Sequence, residues 1–115
     1  MTTPYAALTT PDLVTEQGRL TRAYFDEAPN GTDTHPLVNR LIRVEAVLTA
    51  REAIRALGEA QQAVRWVEVL AEHEPRQAAD FAARAAESAE GALALVAALR
   101  ADCTAAASDS DEGTA

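Results

Sequence analysis

Apolar residues recur at intervals of three and four on both sides of Pro75, and an antiparallel pair of helices satisfies both runs at once. The first run is Leu37, Leu41, Val44, Val47, Ala50, Ile54, Leu57, Ala60, Val64, Val67 and Ala71. The second is Ala78, Ala82, Ala85, Ala89, Ala92, Val96, Leu99 and Cys103. Spacing of this kind gathers each run along one face of an α-helix. Thr34-His35-Pro36 is a start signal, a capping side chain followed by proline at the first helical position. Glu74-Pro75 ends the first run, because a residue before proline is pushed out of the α region, and Pro75 then opens the next helix. The pattern predicts helices over about 36–74 and 75–104, folded back at Pro75 into a hairpin. In the register this implies, Ala71 faces Ala78, Val64 faces Ala85 and Ala50 faces Leu99. Gly58 and Gly91 fall at the same level, so they are expected at a point of close approach. The alternative rests on the ~1 kcal/mol that glycine costs inside a helix relative to alanine. If the second helix breaks near Gly58, the chain folds as a compact four-helix bundle.

A shorter helix precedes the hairpin. Thr10-Pro11-Asp12 starts it and Pro29-Asn30-Gly31 ends it, giving a helix over about 11–28 with Leu13, Val14, Leu20, Tyr24 and Phe25 on one stripe. The expected fold class is therefore all-α, a long antiparallel hairpin with a shorter N-terminal helix packed on one end. Residues 1–9 show no periodicity and are expected to be a flexible arm. Residues 10–104 form a single helical domain, and the small, acidic residues 105–115 form a disordered tail.

Composition limits what such a hairpin can be for. Of the 115 residues 48% are hydrophobic, but 27 of the residues are alanine, so only about half of the apolar side chains are bulky. A thin core of this kind favours close helix packing, self-association, or both. The basic residues are all arginine and the net charge is −8, which argues against nucleic acid as a partner. The charge is uneven: residues 58–115 hold four arginines and eleven acids, while residues 11–57 hold six and seven. The lone cysteine suits a reducing compartment. No signal peptide is visible near the N-terminus and no apolar run approaches the ~20 residues that span a bilayer, so a cytoplasmic protein with no membrane partner is expected.

No motif for catalysis, metal or cofactor stands out. His73 sits among Glu68, Glu72 and Glu74, but no ligand-type residue lies three or four positions before it on its own face. Cys103 falls on the predicted apolar seam, where a thiol behaves as a small hydrophobe. The arginines of the first two helices have acids within reach, Glu16 for Arg19 and Glu52 for Arg55. The feature most suggestive of function is near the hairpin turn. There Trp66, Val69 and Leu70 project off the seam and Phe81 lies across from them, beyond the reach of the short first helix. These four residues are the expected interaction site. The expected function is a non-catalytic helical protein–protein interaction or assembly module, self-associating as a homo-oligomer and needing no cofactor. The alternative is a small acidic inhibitor or regulator that binds a basic surface of another protein, as a DNA mimic does.

Overall fold

The computed structural model describes residues 3–114, with side chains described for residues 3–108. The expected acidic tail over 105–115 thus lies largely outside the described side chains. Three α-helices carry the fold: α1 (Thr10–Glu27), α2 (His35–Leu70) and α3 (Pro75–Thr114). No strand occurs among the described residues, and α2 and α3 pack against each other as an antiparallel pair. Helix α2 runs unbroken through Gly58, so the four-helix alternative does not arise. Helix α3 continues to Thr114, ten residues past the expected end at 104.

The chain divides into two compact units, residues 1–49 with 99–115, and residues 50–98. In the first unit α1 packs on the opening turns of α2. Leu13, Leu20 and Val44 are fully buried, and Tyr5, Leu8, Leu37, Leu41, Val47 and Leu48 close around them. The segment expected as a loose arm takes part in this: Tyr5–Ala7 forms a 3-10 turn that brings Tyr5 and Leu8 onto the cluster. Two apolar side chains on a short segment are enough to hold it against a core. The cap of α1 is Thr9, one residue earlier than expected, its hydroxyl accepting from the Asp12 amide at 3.2 Å. Asp33 caps α2 by accepting from the His35 amide at 3.0 Å. Between these helices Gly31 takes a left-handed conformation with φ 73°, open to glycine at no steric cost.

The second unit is the hairpin itself. Helix α2 ends at Leu70, not Glu74, and the four residues Ala71–Glu74 turn the chain into α3. The seam lies on Ala53, Ala56, Ala60, Ala63, Val67 and Leu70 of α2, and on Ala78, Phe81, Ala85, Ser88, Ala92 and Leu95 of α3, all buried or half-buried. Both runs keep intervals of three and four, yet only one of the two expected columns on each helix is retained. The other lies one residue earlier. Of the residues expected on the seam, Ile54, Leu57, Val64, Ala71, Ala82 and Val96 are exposed and Ala89 is half-buried. Cys103 is exposed as well, with Asp102 half-buried in its place. The cause is the width of the apolar stripe, which covers three adjacent columns on each helix. On α2 the shift brings Ala56 and Ala63 inward in place of Leu57 and Val64, and on α3 it brings Phe81 and Leu95 inward in place of Ala82 and Val96, so alanines of α2 make room for larger residues of α3.

Gly58 and Gly91 are not at a close approach. Both are exposed, and a Cβ added to either meets nothing within 4 Å. Gly58→Ala and Gly91→Ala are therefore each expected to raise stability by roughly 0.5–1 kcal/mol through the lower helix cost of alanine. Gly31→Ala is expected to lower it by a similar amount or more, because alanine is strained at positive φ. Urea midpoints of the three variants check both signs.

Candidate interaction surfaces

The seam assigns every other residue of the hairpin to a side. In an antiparallel pair of right-handed helices, positions one step after a seam residue turn to the same side on both helices. Positions one step before a seam residue turn to the opposite side.

The preceding side holds the expected site in part. Trp66 and Phe81 stack with ring centroids 5.9 Å apart and planes 19° from parallel. The Arg84 guanidinium lies 5.1 Å from the Phe81 centroid, within range of a cation–π contact. A shallow cleft of about 410 Å³ runs beside them, bordered by Glu59, Gln62, Glu87 and Ser88. Trp66 remains 47% exposed and Val69 shares its side of α2, also exposed. Leu70 and Phe81 belong to the seam and are half-buried. The structure thus brings Trp66 and Phe81 together, but the surface around them is polar. Six of its twelve positions are charged: Glu52, Arg55, Glu59, Asp80, Arg84 and Glu87. Arg55 ties two of these together, donating to Glu59 at 2.9 Å and pairing with Glu52.

The following side differs. Its twelve positions over 54–71 and 79–96 contain a single charge, Glu68, and one further polar residue, Gln61. Ile54, Leu57, Val64, Leu93 and Val96 stand on it, between 44% and 70% exposed. Five bulky aliphatic residues of the hairpin are therefore outside, while its most deeply buried residues are all alanines. Periodicity pointed to the same residues, since four of these five belong to the predicted runs, but placed them in the seam. Leu93 lay outside both runs; its signal was position, one residue past the seam alanine Ala92.

The first unit carries a cleft of about 1010 Å³ whose lining includes Tyr5, Arg19, Arg40, Arg43 and Glu16. Glu16 is the acid among these arginines: Arg19 Nε donates to it at 2.9 Å with a second contact through Nη2. The hydrogen bond from Arg19 holds the Glu16 carboxyl below the usual carboxylate range; the charges of Arg19 and Arg40 add to this, against partial desolvation. A carboxylate with a lowered folded-state pKa stabilises above its ordinary value and loses that contribution as pH falls through the lowered one. Glu16→Gln is thus expected to be slightly less stable than wild type at neutral pH. The gap should close below about pH 4, as urea midpoints taken across pH check.

Among the described residues no polar or charged side chain is buried, and no three His, Cys, Asp or Glu residues converge as metal ligands would. His73 approaches only Glu72, at 3.8 Å, and both are exposed. Helix α3 over Pro75–Ser108 is long and apolar enough to cross a membrane by length and composition alone, and only 6% of its most apolar window is buried. No protein-family model matches the chain, and neither a curated protein nor a solved structure shows significant similarity to it.

Proposed function

We propose that this chain is a non-catalytic helical assembly module that self-associates through its hairpin. The observation that carries the reading is the inversion of side-chain size in residues 50–98. Ala53, Ala63, Ala78, Ala85 and Ala92 are the buried residues of that unit, while Ile54, Leu57, Val64, Leu93 and Val96 remain 44–70% exposed. A buried alanine contributes little, whereas a Val, Leu or Ile gains about 1.5–3 kcal/mol from full burial. Although Val67, Leu70, Phe81 and Leu95 are half-buried in the seam, a substantial share of the hairpin's hydrophobic free energy is therefore released only when something covers its outside.

Light scattering coupled to size exclusion across a range of loading concentrations tests this. The expected mass is a multiple of the 12.2 kDa chain, approaching the monomer only on dilution. A strict monomer at every concentration overturns self-association. Binding of a basic protein that weakens steeply with added salt would instead support the acidic-regulator reading.

A further inference from the structure

We infer that the second copy docks on the side of the hairpin bearing Ile54, Leu57, Val64, Leu93 and Val96, and not on the side bearing Trp66, so that two hairpins close face to face into a four-helix bundle. This rests on the proposed self-association and specifies its surface.

The two sides of the hairpin differ in what they can bury. Closing the Trp66 side would desolvate the Glu52–Arg55–Glu59 cluster, Arg84 and Glu87, and buried ion pairs return little net free energy for that cost. Closing the opposite side desolvates one carboxylate, Glu68, near the turn, and one amide, Gln61.

An occupant of that side must itself be apolar and two helices wide. An identical face meets both conditions, and in a two-fold dimer each copy offers the same patch to the other. The five exposed aliphatic side chains present on the order of 500 Å², at the upper end of what a monomer leaves open. With the alanines between them, Ala79, Ala82 and Ala86, and a polar rim, the face approaches the ~800 Å² per partner of a standard-sized interface. The rim carries both signs, Arg65 on α2 and Glu90 on α3, so two copies meet there without the repulsion that a net charge of −8 would otherwise bring. Alternating alanine with leucine, isoleucine and valine also suits the interdigitated layers of a four-helix core.

Paired variants separate the two sides. Leu57→Glu and Leu93→Glu are each expected to weaken self-association by roughly 100-fold or more, as loss of a central apolar anchor does. Helix content by far-UV circular dichroism should be retained, because both residues are outside the hairpin seam. Trp66→Glu and Val69→Glu are expected to leave the oligomer intact. Should the glutamate variants fail to fold, the wild-type protein gives an independent readout. Acrylamide quenching of Trp66 should not change on dilution from oligomer to monomer if Trp66 is on the open side, and should rise if that side is the interface.

An oligomer that dissociates with Trp66→Glu or Val69→Glu, or whose Trp66 becomes more quenchable on dilution, overturns this assignment and leaves self-association standing. A wild-type monomer overturns both. If that monomer also binds phosphatidylcholine vesicles, the apolar side belongs to a bilayer surface and not to a second copy.

Discussion

Leu20→Ala is expected to lower the stability of the first unit by about 2–5 kcal/mol, the largest single effect anticipated for a conservative truncation in this chain. Among the described residues Leu20, Leu13 and Val44 are its only fully buried large side chains, each at 0% exposure. No redundancy stands behind them, since the surrounding apolar residues are only partly buried. Truncation removes the transfer free energy of the lost methyl groups and leaves a cavity between two helices that are held apart by the other two large residues. A loss of this size is a sizeable part of the ~5–15 kcal/mol that stabilises a typical domain. Urea unfolding followed by circular dichroism, with Phe25→Ala as the exposed control on the same helix, measures it. A loss no greater at Leu20 than at Phe25 would show that α1 does not dock as described.

The second large effect runs in the opposite sense, through added volume. Ala85→Leu is expected to cost roughly 1–3 kcal/mol, because the seam has no room for three more carbons without moving the helices apart. Ala85 is buried, and so are Ala78 and Ala92 one heptad to either side of it. Ala82→Leu, three residues earlier, falls on an exposed position and is expected to change hairpin stability by no more than about 0.5 kcal/mol under dilute conditions. Both residues lie in the run that periodicity predicts for the seam, so this pair of variants decides which column is inside. Equal costs at the two positions would contradict the packing of α2 against α3.

Much of the architecture was legible from local chemistry. Proline at 36 and at 75, with the residues that precede it, marked where α2 and α3 begin, because proline restricts its own φ and its neighbour's conformation regardless of tertiary context. Asn30-Gly31 marked the turn after α1 because only glycine takes positive φ without strain. The surface pairs Glu16–Arg19 and Glu52–Arg55 followed from i, i+3 spacing alone. The candidate site was legible only in part. Trp66 and Phe81 do meet across the hairpin, but the charges around them become apparent only when the two helices are placed side by side.

What the sequence by itself determined is therefore the set of helices, their direction changes and the breadth of the apolar stripe on each. Which column of that stripe faces inward was decided by tertiary packing. Ala53 and Ile54, or Ala63 and Val64, are adjacent in sequence and equally compatible with a period of three and four. Only the approach of a second helix distinguishes them, by selecting the alanine that allows close contact and leaving the larger neighbour outside. That selection turns Ile54, Leu57 and Val64 from expected core into exposed surface, and on α3 the same one-residue shift places Leu95 in the seam instead of Val96. It also moves Gly58 and Gly91 from an expected contact to open positions where alanine fits. The physical reason is that hydrophobic periodicity specifies a face to within about one residue, roughly 100° of helix rotation, whereas interhelical distance depends on the volume of the side chains at the contact itself.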